Sequence, residues 1–307
     1  IYDNNQALCG FEMNNISYDE TRYLNAHIDY KTRSSGGPFL QHLSILPGYN
    51  NGIYKMVNGN DGILSLWGAG EHPVKIVVKD ANQNASTINF SLVKTGEASI
   101  ADTNGEQIFL PNAVNIFENN NVRFYMPETA VYDAFTFMYK ESNVAGSTVY
   151  QLHNNTVPVQ NYFPISIRGS FPLEDTGHIV MERFYGTKND FKKAVYENGW
   201  YKASFREFGN YRLINDKTAP VITPIGFYNG IKAHKLSRIA FMVTDNTEEI
   251  LRFTALLDGK WLRFSNDKGK VFQYVFDEHC PPGEHELKII AEDLAGNKTE
   301  RVYRFVR

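Results

Sequence analysis

The chain has few cysteines, few tryptophans and no long apolar run, and each scarcity removes a class of protein. Its two cysteines, Cys9 and Cys280, stand 271 positions apart in 307 residues, which excludes a disulfide framework. Apolar stretches such as Ile76 to Val78 and Ala255 to Leu257 fall far short of the ~20 residues that cross a bilayer, so no membrane-spanning segment is expected. Neither sign of charge dominates: 31 Lys and Arg face 34 Asp and Glu, and no basic cluster is long enough to follow a phosphate backbone. Nucleic acid is excluded as a partner. Hydrophobic residues at 42% and charged residues at 21% do not fit a disordered, collagen-like or coiled-coil chain. No charged and apolar leader precedes Ile1, which reads as a mature product or an excised fragment whose targeting signal lay upstream.

Short-range chemistry is equally sparse. The histidines at 27, 42, 72, 153, 178, 234, 279 and 285 form no H-x-H, H-E-x-x-H or H-x-x-x-D, the spacings that hold zinc. The nucleophile elbow G-x-S-x-G and the phosphate loop G-x-x-x-x-G-K-[ST] are missing. Adjacent acids such as Glu174-Asp175 and Glu292-Asp293 project to opposite faces of a strand and cannot act as a pair. The expectation is therefore no catalytic residue, no metal ligand and no cofactor. A carboxylate pair assembled from distant strands, as glycosidases use, stays open on sequence grounds.

What the chain does have is Tyr and Phe, 18 and 21 of them, together with abundant Asn, Gly and Thr, a mixture that favours twisted antiparallel sheet. It also repeats itself. Gly70-Glu71-His72-Pro73-Val74-Lys75-Ile76-Val77 with Asp80 and Asn84 recurs 213 positions later as Gly283-Glu284-His285-Glu286-Leu287-Lys288-Ile289-Ile290 with Asp293 and Asn297. Each copy reads as a strand of alternating apolar residues, a tight turn and a returning strand. In the turn, the Asp side chain accepts from backbone N–H groups further along while Gly or Asn tolerates a left-handed conformation, so Asp80, Asn84, Asp293, Gly296 and Asn297 are assigned to structural turns. Calcium at Asp80 or Asp293 would need more oxygens than one carboxylate and one amide supply. A degenerate third hairpin is expected over Tyr201 to Leu213, turning at Gly209-Asn210. His72 and His285, at equivalent positions, are expected to share a packing or capping role.

If each hairpin closes a domain, the chain divides at 1–94, 95–217 and 218–307, lengths that suit β-sandwiches. The fold class is all-β, as three tandem immunoglobulin-like β-sandwich domains. Alternation places Leu24, Ala26, Ile28 and Tyr30 on one strand face, with Asn25, His27 and Asp29 on its solvated side, and Ile239, Phe241 and Val243 on another strand. Asp258-Gly259 marks a hairpin, and Asn119 to Asn121 and Asn266 to Gly269 mark further turns. One short helix is expected over Asp190 to Tyr196, capped by Asp190. Trp67, Trp200 and Trp261 are read as rings covering sandwich edges, with sugar stacking as the alternative. The middle domain exceeds the others by roughly 25 residues, and its excess includes Tyr150 to Tyr162 and Phe184 to Trp200, read as loops that can carry recognition on a rigid scaffold. Tyr150, Tyr162 and Trp200 are its candidate ligand-binding aromatics.

Several segments carry a family resemblance: Lys75 to Asp80 with Asn84, Ser17 to Ala26, Leu46-Pro47-Gly48, Leu257-Asp258-Gly259-Lys260-Trp261 and Asp293-Leu294-Ala295-Gly296-Asn297-Lys298. With them nearly the whole chain resembles the region downstream of the catalytic domain in secreted M23-type, lysostaphin-like zinc peptidases of certain Gram-negative bacteria. Those enzymes bind zinc through H-x-x-x-D and H-x-H and cut cell-wall crosslinks. Neither motif occurs here, so no catalytic residue carries over. The resemblance implies a noncatalytic accessory region, a spacer or binding region, exported to the periplasm, cell surface or extracellular space; a monomer is expected, with peptidoglycan or a surface glycan as partner. The rivals are a surface carbohydrate-binding protein and, further off, a glycosidase.

Overall fold

The computed structural model describes residues 1–46, 53–56, 59–64, 70–95, 107–266 and 269–307. It is predominantly β, and its middle part is an immunoglobulin-like sandwich. Along this part run β7 (Ile108–Phe109), β8 (Asn115–Glu118), β9 (Val122–Met126), β10 (Phe135–Thr136), β11 (Tyr139–Val144), β12 (Ser147–Leu152), β13 (Phe163–Arg168), β14 (Ile179–Tyr185), β15 (Lys188–Lys193), β16 (Val195–Glu197), β17 (Trp200–Phe205) and β18 (Gly209–Asn215); the numbering leaves β1 to β6 for the preceding segment. One antiparallel sheet has the order β11-β12-β18-β14-β15 and the other β16-β17-β13-β9-β8. Alternation sends Val122, Phe124 and Met126 on β9, Ile165 and Ile167 on β13, and Tyr201 and Ala203 on β17 into the space between the sheets. There Phe109 stacks on Phe137 at 4.6 Å between centroids, and Phe124, Phe163 and Phe208 close around them.

The connection from β17 to β18 corrects the third hairpin. These strands lie in opposite sheets, so Tyr201, Ala203 and Phe205 face Tyr211 and Leu213 across the core instead of pairing beside them. The Tyr211 hydroxyl donates back to the Glu207 carbonyl, the tyrosine corner that turns the chain between sheets in immunoglobulin-like domains. Buried Arg183 donates to the Phe208 carbonyl from Nε (3.1 Å) and Nη2 (2.8 Å), bracing the same corner from β14.

The last part is a sandwich of three and four strands: β19 (Val221–Pro224), β20 (Arg238–Thr244), β21 (Ile250–Leu257), β22 (Lys260–Leu262), β23 (Val271–Val275), β24 (Glu284–Asp293) and β25 (Lys298–Val306), in the orders β19-β20-β23 and β22-β21-β24-β25. Ile239, Phe241 and Val243 meet Leu287, Ile289, Tyr303 and Phe305 in its core. Asp258 (φ 49°) and Gly259 (φ 80°) make the tight β21–β22 turn with both residues left-handed. His285 bridges Asp258 Oδ2 and the Pro281 carbonyl, both at 2.6 Å.

The first segment combines sheet with short helices. It contains β1 (Tyr2–Asp3), β2 (Gln6–Ala7), β3 (Cys9–Phe11), α1 (Thr21–Ala26), α2 (Tyr30–Ser34), β4 (Tyr54–Met56), β5 (Glu71–Lys79) and β6 (Ala85–Val93), with a four-stranded sheet β2-β1-β5-β6 and the pair β3-β4. The strand expected over Leu24 to Tyr30 is instead α1 and α2. A capping box starts this stretch, with Ser17 N–H donating to Glu20 at 3.1 Å. Tyr23, Ala26 and His27, at helical spacing, then turn one side inward, where Tyr23 meets Tyr132 edge-on at 5.5 Å and Ala26 packs with Tyr132 and Leu46. His27 is buried rather than solvated, and Asp29 caps α2 by accepting from Thr32 N–H at 2.7 Å. Arg22 on α1 donates to the Val159 carbonyl at 2.9 and 2.7 Å, tying this segment to the middle sandwich.

The helix expected at Asp190 to Tyr196 is also absent. Those residues lie in β15 and β16, because Asp190 to Lys193 pair residue by residue with β14 and Phe191 turns inward. Phe184 to Trp200 is accordingly mostly strand, not loop. Both cysteines are buried and free. The boundary at 94/95 adjoins residues outside the described set, and Pro47-Gly48, Trp67 and residues 267–268 of the 266–269 turn lie outside it. The second boundary falls in the short linker between β18 and β19.

Burial among Phe135, Phe137 and Phe208 pushes His153 down to about 4. Its pKa is depressed on folding, so the stability it contributes is complete above the unfolded value near 6.5 and is lost as pH falls toward 4. Replacing His153 by Phe is expected to flatten the acid limb of the urea-unfolding profile between pH 6.5 and 4 by up to ~3 kcal/mol. An unchanged limb would show that the ring is not buried neutral.

Candidate functional site

The three candidate aromatics do not converge. Tyr150 lies in the middle core, so its ring offers no face to a ligand. Tyr162 is 61% exposed, in the loop before β13, with the Arg206 guanidinium 5.5 Å from its ring. Trp200 is 8% exposed on β17, but it faces outward from the sandwich, and two guanidiniums rather than a core cover it. Trp261, expected to cover an edge, is 68% exposed on β22.

Around Trp200 the sheet register builds a polar face. Arg168 is its cross-strand partner on β13 and Glu197 its partner on β16. Ser166, two residues back on β13, lies opposite Lys202 on one side and Arg123 on the other, and Arg123 lies opposite Glu118. Because the residues between them fill the core, period-2 geometry turns all of these outward. The Arg123 and Arg168 guanidiniums sit 4.4 and 4.8 Å from the Trp200 ring, close enough for cation–π attraction of about 0.5–2 kcal/mol each. Ile116, Tyr125 and Pro164 complete the walls of a shallow cleft of about 270 Å³. Among the described residues, Arg123, Arg168 and Lys202 form no ion pair and donate no side-chain hydrogen bond. The face thus presents free cationic donors, held at fixed positions on strands and steadied by an aromatic ring. Such donors suit carboxylates, which a planar guanidinium can grip with two parallel bonds. Periodicity alone places the five charged residues on one face of their strands; which strands are neighbours was not readable from the sequence.

This architecture defines an immunoglobulin-like β-sandwich protein. Within it, residues 106–216 match the family model described as a Zu5-like domain. No curated protein sequence matches the chain. Solved structures with local likeness include the endo-β-1,4-mannanase of Thermotoga petrophila, at 14% identity and TM-score 0.26 over 30% of this chain and 20% of that one. The fibronectin(III)-like modules of Clostridium thermocellum CbhA match at 14% identity and TM-score 0.23, covering 47% of this chain and 83% of theirs. SGBP-B of the Bacteroides ovatus mixed-linkage glucan utilization locus, solved with a heptasaccharide, matches at 10% identity and TM-score 0.20 over 88% and 59%. The chain spans a fifth of the length of the mannanase.

The two repeated turns share their hydrogen bonds and differ in surroundings. Asp80 Oδ1 accepts from Asn84 N–H at 2.9 Å and Oδ2 from its side-chain amide at 2.7 Å; Asp293 accepts the same pair from Asn297, both at 2.8 Å. Gln83 (φ 67°) and Gly296 (φ 89°) hold the same left-handed position, which glycine takes without strain. Asp80 is exposed, and the Asn84 bonds hold its carboxyl below the usual range. Asp293 is fully buried, and burial pushes its carboxyl up, with Asp245 and Asp216 adding to the effect against the Asn297 bonds. Asn297 also donates to the carbonyl of Asp216 at 2.9 Å, and Leu294 and Ala295 pack on Val180 and Phe191 of the middle sandwich.

Asn297→Ala should therefore leave buried acceptors unpaired and cost about 1–3 kcal/mol in urea unfolding. Asn84→Ala, in the exposed copy, should cause no resolvable change. Equal effects of the two would show that the buried environment adds nothing.

Proposed function

We propose that this chain is a noncatalytic binding and spacer region of an exported cell-wall protein, accompanying an M23-type zinc peptidase domain. The observation that carries the binding part is the outer face of the middle sandwich, where Arg123, Arg168 and Lys202 stand unpaired around Trp200. A polymer with carboxylates spaced along sugar and peptide, as peptidoglycan has, matches free guanidinium and ammonium donors beside the exposed ring of Tyr125. Glu118 and Glu197 on the same face suit the amino groups such a polymer also carries. The other parts of the chain join the middle sandwich through Arg22 and through Leu294, and they extend the region as a spacer.

The test is co-sedimentation of the intact chain with purified peptidoglycan sacculi, beside a panel of neutral glucans. Arg123→Ala and Lys202→Ala, both on the exposed side of the sheet, should each weaken sacculus binding about tenfold, as loss of a charge-assisted hydrogen bond does, without lowering the melting temperature. Undiminished binding by both variants, or no binding by the intact chain, overturns the assignment of this face. Binding to neutral glucans that ignores both substitutions would instead favour the rival reading as a surface carbohydrate-binding protein.

A further inference from the structure

The linker between the middle and third sandwiches brings together three carboxylates that the sequence keeps far apart. Asp216 follows β18, Asp245 follows β20, and Asp293 ends β24. One carboxylate oxygen from each lies within 4.8 Å of one from each of the other two. Each side chain is held in place by hydrogen-bond donors. Asp216 Oδ1 accepts from Thr218 N–H at 3.0 Å and the Asn246 amide at 3.1 Å, Asp245 Oδ2 accepts from Thr247 N–H at 2.9 Å and its hydroxyl at 2.6 Å, and Asn297 binds Asp293. The second oxygens of two of them, Asp216 Oδ2 and Asp245 Oδ1, are buried without any hydrogen-bond partner, and Asp216 as a whole is only 2% exposed. Among the described residues, no Lys or Arg forms an ion pair with any of the three.

Three carboxylates, two of them almost wholly buried, cannot remain charged at this spacing without compensation. At ~4 Å each like-charged pair repels by several kcal/mol in a protein environment, and an orphaned buried oxygen adds its own desolvation cost. A positive ion at the centre removes both penalties. The donors are all oxygen, with no His or Cys among them, which selects a hard cation over zinc or copper. Asp245 is only partly buried, leaving a side from which water can complete a shell of 6–8 oxygens. We infer that Asp216, Asp245 and Asp293 form a calcium site that locks the linker onto the end of the third sandwich and fixes that sandwich against the middle one.

Because Asp216 lies in the linker while the other two belong to the third sandwich, bound calcium closes the joint at which Leu294 and Ala295 meet Val180 and Phe191. Among the described residues Asp80 has no such partners: its turn carries the same hydrogen bonds in the open, which makes it the internal control.

The test uses the full chain stripped with a chelator and melted with and without calcium chloride, with calcium binding followed by isothermal titration. The expected result is one calcium per chain and a rise in melting temperature of roughly 5–10 °C at a hundredfold excess over the dissociation constant. Asp245→Asn and Asp216→Asn should each abolish the rise while leaving the stripped protein as stable as before or more so, since each removes one of three mutually repelling charges. Asp80→Asn should keep the full response. If Asp216→Asn fails to fold, Asp245→Asn, at the least buried ligand, decides alone. A stripped protein that neither binds calcium nor responds to it at 10 mM would overturn the proposal and leave the carboxylates sharing protons. A shift reproduced by magnesium chloride or by potassium chloride of equal ionic strength would overturn it too.

Discussion

The cationic face and the crossing of the chain between sheets both follow from the burial of one aromatic cluster between the two five-stranded sheets of the middle sandwich. Phe109, Phe124, Phe137, Phe163 and Phe208 fill the space between the layers, and removing their large apolar area from water favours this arrangement. Once these rings face inward, strand alternation forces Arg123, Arg168, Trp200 and Lys202 outward together. The cationic face is thus a by-product of core burial: moving any of these strands by one residue would exchange core for surface. The tyrosine corner and the buried Arg183 serve the same constraint, since they hold the segment that carries the chain from one sheet to the other.

Both flanking parts lean on that sandwich, by different means. The first uses a helix, placing the Arg22 guanidinium on the Val159 carbonyl and Tyr23 against Tyr132. The third uses a turn, with Leu294 and Ala295 covering Val180 and Phe191 while Asn297 grips the linker backbone. These contacts are small, and polar groups share the work with apolar ones, as at joints between domains that retain some freedom. A cation at Asp216, Asp245 and Asp293 would turn the second joint from compliant to stiff, whereas the first has no comparable device among the described residues.

The two copies of the Asp-to-Asn turn separate local chemistry from context. Their hydrogen bonds agree to within about a tenth of an ångström. Yet one carboxyl is held below its usual range and the other pushed above it, because only the second is buried beside other carboxylates. Residue types at fixed spacing encode the turn itself, since an Asp acceptor and a left-handed position act within five residues. What surrounds the turn depends on segments dozens of residues away. A repeat in sequence is therefore evidence for shared geometry and not for shared role.

The sequence by itself determined the β class, the two terminal hairpins, the Asp258-Gly259 turn and the lack of short zinc and nucleophile motifs, all of which depend on neighbours a few residues apart. It misled at Leu24 to Tyr30, where alternation competed with an equally good helical spacing of Tyr23, Ala26 and His27, and packing against Tyr132 decided for the helix. At Asp190 a plausible cap lost to the ladder with β14, and at Tyr201 to Leu213 two well-patterned strands entered different sheets, because alternation specifies a face but not a partner. Only the tertiary structure could unite Arg123, Arg168 and Lys202 on one face, or Asp216, Asp245 and Asp293 at one joint. Such groupings arise from strand order and domain docking, set by the fit of whole buried surfaces, and no short window of sequence contains that information.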